Sequence, residues 1–257
     1  MTNNEYRALN RISNSDLTKI DQNIKIWRQS LKQQSDSTAE QIFGTAFHCY
    51  LLEYQNFFKE YVISEKFDLR TKGGKEKSEQ FAAENQGKTV ISNNDYGIII
   101  AMAEACYAEP EIKEILESPF LAEEIMLFDY LNVECKAKLD LRIPKELILD
   151  VKTTRDGNLS EMAAKSIANY KYYRQLAFYK LAAELATGEK HAAKFLFCSK
   201  EKPYTPLLCE LSTDYLDFGL KEVERILSKY LLWEMGEISD SYEQNIIIDL
   251  PKWLGKD

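Results

Sequence analysis

The tightest constraint on this chain is the segment Glu146-Leu-Ile-Leu-Asp-Val-Lys-Thr153, apolar almost throughout and interrupted only by Asp150 and Lys152. A short apolar run bounded by turn residues reads as a buried strand. The run Val133–Ile143 precedes it across Pro144-Lys145, so the pair reads as a β-hairpin. Side chains alternate along a strand, which puts Asp150 and Lys152 on one face and Leu149 and Val151 on the other. Polar residues on one face are ordinarily a solvated surface. Here the rest of the strand is apolar, and a charged pair is costly to bury unless it is used.

Register decides whether a site can form. With Pro144 to Glu146 as the loop, Ile143 pairs with Leu147 and Asp140 falls opposite Asp150. Opposed residues have Cβ atoms about 4.5–5.5 Å apart, near enough for two carboxylates to share a divalent cation. A two-residue loop instead sets Asp140 against Leu149 and separates the acids.

An aspartate, a gap, then Asp-x-Lys closing a strand resembles the signature of the PD-(D/E)XK nuclease superfamily, standing here as Asp140 … Asp150-Val151-Lys152. Gln175-x-x-x-Tyr179 is similar to the helical element of the RecB-type branch. Gly44-Thr-Ala-Phe-His48-Cys-Tyr-Leu-Leu-Glu53 looks like the histidine-bearing helix of the exonuclease VIII (RecE) group, and FDLRTKGGKEKSEQF, residues 67–81, is similar to another stretch of that group. These elements, which follow the family's order along the chain, resemble the RecE-like nuclease domain over nearly its whole length.

The resemblance implies an α/β fold, a central mixed β-sheet of the restriction-endonuclease-like kind flanked by helices. It implies one domain over 1–257, with a mainly helical part, 1–120, carrying His48, and a sheet core with a C-terminal helix, 121–257. It implies one or two Mg²⁺ or Mn²⁺ ions held by His48, Asp140, Asp150 and the Val151 carbonyl, with Glu124 as an additional acid. An imidazole ligand suits Mn²⁺ somewhat better than Mg²⁺. Lys152 is then the residue that positions water and stabilises charge, with Gln175 and Tyr179 ordering Lys152 or a phosphate. The implied activity is an exodeoxyribonuclease on double-stranded DNA ends, 5′→3′, leaving a 5′-phosphate and a 3′-hydroxyl. Its implied partners are a RecT-like single-strand annealing protein and further copies of the chain in a trimeric or tetrameric ring. A silent DNA-binding or assembly module and an endonuclease of the same superfamily are the alternatives. The chain departs from the family at Lys138, where arginine is usual, and lacks a proline near residue 22.

Composition sets outer limits. A chain of 257 residues, 45% hydrophobic, is ample for a large core, while a net charge of −8 argues against binding nucleic acid through the whole surface. A local groove is compatible with that charge. The five cysteines are odd in number and lack CxxC spacing, so neither a disulfide framework, a zinc site nor an iron–sulfur cluster is expected. No apolar run approaches the roughly 20 residues that span a bilayer, and the expected location is cytoplasmic.

Periodicity and capping residues predict helices over about 13–31, 38–57 (opened by a capping box at Ser37 and Glu40), 94–118, 161–187 (capped by Ser160, closed by Gly188) and 213–236. Strands are expected at 125–131, 193–199 and 205–211, with the 246–254 tail completing the domain. Residues 64–77 read as a loop bent at Gly73-Gly74. Arg70, Lys72 and Lys75 there are either a solvated surface or contacts to the DNA backbone.

Overall fold

The computed structural model describes residues 3–32, 37–64 and 67–240. The first part is mainly helical: α1 (Asn3–Ala8), α2 (Asn14–Gln22), α3 (Ile24–Ser30), α4 (Ala39–Leu52), α5 (Tyr54–Glu60), β1 (Tyr61–Ser64), α6 (Lys72–Glu84), β2 (Thr89–Ser92), α7 (Asn93–Ala108) and α8 (Pro110–Glu117). Strands β3 (Leu121–Tyr130), β4 (Val133–Ile143) and β5 (Leu147–Thr154) follow, then α9 (Leu159–Asn169), α10 (Tyr172–Thr187), β6 (Ala192–Ser199), β7 (Pro206–Glu210) and α11 (Thr213–Glu234). The mixed sheet runs in the order β3-β4-β5-β6-β7, antiparallel except for the β5–β6 pair. A parallel pair needs a crossover, which α9 and α10 supply. The small parallel β1–β2 sheet is not foreshadowed by the sequence reading.

Several expected helices divide, each for a local reason. Residues 13–31 break at Asn23, whose side chain caps α3 by accepting from the Lys25 N–H at 2.7 Å. Residues 94–118 break at Pro110, which has no N–H to donate and takes the first position of α8. Residues 38–57 break at Glu53, and the capping box that opens α4 is Thr38 with Gln41, one residue beyond the expected pair. Residues 161–187 break at Lys171, whose φ of 56° ends one helix and starts the next, with Asn158 rather than Ser160 at the N-cap. Gly188 closes α10 at φ 73°, as expected.

Gly73 and Gly74 are not a bend. They lie in the first turn of α6, where Thr71 accepts from the Gly74 N–H at 3.0 Å and a Cβ on Gly74 would collide with the Asp68 carbonyl. The tail at 246–254 lies outside the described residues, as does part of the linker around 32–38.

Two cores cover the two faces of the sheet. One packs α2, α3, α9, α10 and α11 on Ile148, Phe195 and Phe197; the other packs α4, α5, α7 and α8 on Leu147, Leu149, Val151 and Leu196. β5 therefore buries both faces, which is why its sequence is apolar without alternation. Along β4 the odd-numbered residues change sides: Val133, Cys135, Ala137 and Leu139 belong to the first core, Leu141 and Ile143 to the second. The change falls at Asp140.

At that point β4 also leaves β5. Their ladder holds three pairs, Ile143↔Leu147, Arg142↔Ile148 and Leu141↔Leu149, and stops. The loop is thus the three-residue one, and the register points Asp140 at Asp150, yet the strands part before those residues pair. Ile12 fills part of the vacated edge, donating to the Glu134 carbonyl and accepting from the Lys136 N–H, both at 2.9 Å.

Helix α11 packs on α10 through Gly219, where a Cβ would lie 2.6 Å from the Tyr173 carbonyl oxygen and 3.0 Å from Ala177 Cβ. We expect Gly219→Ala to lower unfolding free energy by about 1–3 kcal/mol, the range for overpacking a close contact, measured by urea denaturation.

Candidate active site

His48 descends from α4 between Phe47 and Cys49, both core residues, so helical packing fixes its direction. Its Nδ1 lies 3.6 Å from Asp140 Oδ2. Asp140 Oδ2 also accepts from the Val151 N–H at 2.8 Å, standing in for the main-chain carbonyl that β4 withdraws where the strands part. The imidazole in turn has a main-chain hydrogen bond with Val151. Lys152 Nζ lies 2.5 Å from Oδ2 of Asp150, two residues earlier on β5, and 4.9 Å from the ring centre of Tyr172.

Among the described residues it is Glu123, rather than the expected Glu124, whose carboxylate stands with His48 and Asp140. Glu124 forms a fork with Arg142, at 2.6 and 3.1 Å, and Arg142 also holds Glu189 at 2.9 Å. That arrangement occupies Glu124 away from His48. Glu123 has φ 52°, pairs with Lys138, and offers a carboxylate oxygen that lies with donor atoms of His48 and Asp140 inside 4.8 Å. β3 and β4 join through Leu131-Asn132, both at positive φ, which pairs Tyr130 with Val133, and the ladder skips one step between Ala122↔Leu141 and Glu124↔Leu139, the step at which Glu123 and Asp140 stand.

Charge explains the state of these groups. Burial pushes both Asp140 and Asp150 up to about 6, with Glu123 adding to the rise at Asp140 and Asp140 adding to it at Asp150. Lys152 opposes that rise; burial works against its own charge, but Asp150 and Asp140 overcome it and hold the ammonium above its ordinary value. Burial and Lys152 lower His48, leaving a neutral imidazole able to ligate. One lysine thus faces more buried carboxylate charge than it can balance. Two carboxylates and a neutral imidazole within ligand spacing fit Mg²⁺ or Mn²⁺ chemistry.

Gln175 Nε2 donates to the Tyr179 hydroxyl at 2.9 Å on α10, and burial followed by Asp150 and Asp140 keeps that phenol protonated. Both expected helix residues therefore face the acids' side of the sheet. The expected DNA contacts lie apart: Arg70 pairs with Asp68 at 2.9 Å, Lys72 and Lys75 sit on α6, which buries no residue, and none of the three lines the cavities around Lys152. Those cavities, of about 510 and 670 Å³, share Lys152, Arg155 and Tyr172. Tyr172 and Glu123 were not singled out from sequence.

Glu123→Gln should weaken Mn²⁺ binding by roughly 10-fold or more, while Glu124→Gln should spare it and cost stability through Arg142; calorimetric titration with thermal melts separates the two. Stability should depend on pH in a defined direction. Asp140 binds its proton more tightly folded than unfolded, so without metal its contribution is full below about pH 4 and is lost as pH rises through about 6. Asp140→Asn should then raise metal-free stability at pH 7.5 by an amount on the order of 2 kcal/mol and erase stabilisation by Mn²⁺. A metal-free variant no more stable than wild type at that pH would contradict the charge assignment.

No curated protein matches this sequence. A solved structure from Eubacterium rectale, described as a "putative exonuclease", is 14% identical, with 93% of this chain and 88% of that chain covered and a TM-score of 0.65, a likeness of fold. A second, SSO0001, is 10% identical over 92% of each chain with a TM-score of 0.28, too low to carry an argument. Residues 9–244 match the sequence profile of one family, nearly the whole chain. On that match, the chain belongs to the family described as a PDDEXK-like domain of unknown function (DUF3799).

Proposed function

We propose that this protein is a divalent-metal-dependent nuclease that hydrolyses phosphodiester bonds of DNA from an end. The observation that carries this reading is the convergence of His48, Glu123 and Asp140 donor atoms within 4.8 Å, beside the Asp150–Lys152 pair. The exonuclease description of the Eubacterium rectale protein supports end-directed action over internal cutting.

His48, Glu123 and Asp140 would hold the cation, with Asp150 and the Val151 carbonyl as further donors. When bound, it supplies Lewis acidity toward a phosphoryl oxygen and neutralises charge at the scissile group. The chain's own groups do the rest. Lys152, kept protonated by the two aspartates, places a fixed positive charge where negative charge develops on the phosphate. Asp150 orients that ammonium at 2.5 Å, and the Tyr172 ring limits its movement from the other side. Gln175 and the protonated Tyr179 present polar donors to the same region. Hydrolysis with a 5′-phosphate and a 3′-hydroxyl as products, and a 5′→3′ direction on duplex ends, complete the proposal.

Linear and covalently closed circular duplexes, each incubated with Mg²⁺, Mn²⁺ or EDTA, test it. Loss of the linear form alone, with metal, is the expected result; cutting of the circle would make the protein an endonuclease, and inert DNA a binding module. Lys152→Ala should keep Mn²⁺ binding at pH 8 yet lower kcat by roughly 10²–10³-fold, as for removal of one charge-stabilising donor.

A further inference from the structure

Apart from Lys152 and Tyr172, the residues lining the larger cavity beside Lys152 have no part in the chemistry described above. It has a volume of about 670 Å³, inside the range of about 300–1,000 Å³ typical of small-ligand sites. Its wall carries Tyr170, which is 68% exposed although Tyr172 lies against it with ring centres 5.6 Å apart. Arg155, whose guanidinium also donates to Glu40 at 2.9 Å, and Lys152, paired with Asp150, line the same cavity. An accessible aromatic face beside two cations matches the alternation of base and phosphate along a nucleic-acid strand.

The backbone holds that ring in place. Tyr170 ends α9, donating its N–H to the Ser166 carbonyl at 2.9 Å, and the left-handed Lys171 at φ 56° turns the chain into α10. A lysine in that conformation is disfavoured on its own. It is fixed by an ion pair, Lys171 Nζ to Asp21 Oδ2 at 2.5 Å, and the other oxygen of Asp21 takes Arg225 at 2.7 Å. The kink thus places tyrosines 170 and 172 side by side, with Lys152 over Tyr172 at 4.9 Å. The two cavities meet at Lys152, so one strand could lay its scissile phosphate at the acids and its next nucleotide against Tyr170.

We infer that Tyr170 is a stacking platform for an unpaired nucleobase adjoining the scissile phosphate, with Arg155 toward the neighbouring phosphate. This rests on the nuclease reading and adds a substrate requirement: the terminal nucleotide enters unpaired. Stacking on an aromatic side chain is largely indifferent to base identity, so this site favours any base over none.

The test is binding in EDTA, which prevents cleavage, by fluorescence anisotropy of a labelled single-stranded thymidine 12-mer and the same oligomer made fully abasic. Wild type should bind the thymidine oligomer about 5–100-fold more tightly; Tyr170→Ala should remove that preference, and Tyr170→Trp should keep it. Equal affinity of wild type for the two oligomers overturns the proposal, a result that needs no variant to fold. A preference that survives in a folded Tyr170→Ala also overturns it. Cleavage of linear DNA with Mn²⁺, measured alongside, separates the outcomes: cutting without base preference leaves the nuclease standing and removes the platform, whereas base preference without cutting removes the nuclease reading alone.

Discussion

One hydrogen bond organises the centre of this molecule. Where β4 parts from β5, the Val151 N–H would lose its strand partner deep in the protein, and Asp140 Oδ2 takes it at 2.8 Å. A buried donor left unsatisfied costs about 1–3 kcal/mol, so the carboxylate is at once a structural replacement and a candidate ligand. The split that creates the need also creates the room. Without it, Asp140 and Asp150 would sit in an unbroken ladder and Glu123 would be one more residue on an outer strand.

The electrostatics follow from the same split. Asp140, Asp150 and Glu123 gather in a place with Lys152 and Lys138 as the nearest cations, and burial raises both aspartates to about 6. An arrangement that disfavours its own ionised state is poised to gain from an added cation. Arg142 shows the contrast: it lies against Glu124 and Glu189 with His191 at 3.4 Å, so both carboxylates accept hydrogen bonds directly from a permanent cation.

Much of this could be read from residue order because strand alternation and loop length are short-range properties. Pro144 to Glu146 fixed the β4–β5 register, and Asp150 and Lys152 fall on one face as alternation requires. The placement of His48 came through resemblance, since nothing local to α4 tells where an imidazole will point. Which of the adjacent Glu123 and Glu124 stands by Asp140 turns on a single residue of register, set by the Leu131-Asn132 turn and the left-handed Glu123, neither of which the strand expected at 125–131 contains. The breaks at Asn23 and Lys171 were not so accessible. The first rests on an asparagine that caps the helix two residues on, which helical periodicity does not weigh, and the second on Asp21, 150 residues away in the chain, of which periodicity carries no record. The parting of β4 from β5 belongs to the same class, because it is visible only when Ile12 is seen to occupy the edge.

The change of sides along β4 at Asp140 has a mechanical meaning. His48 arrives with the helices on one face of the sheet, while Tyr172, Gln175 and Tyr179 arrive with those on the other. An ion held at the crossing point would pin the layer that carries His48 to the strands that carry Glu123 and Asp140, and that layer swinging outward by a fraction of a helix diameter would dismantle the grip while the remainder of the architecture survives intact.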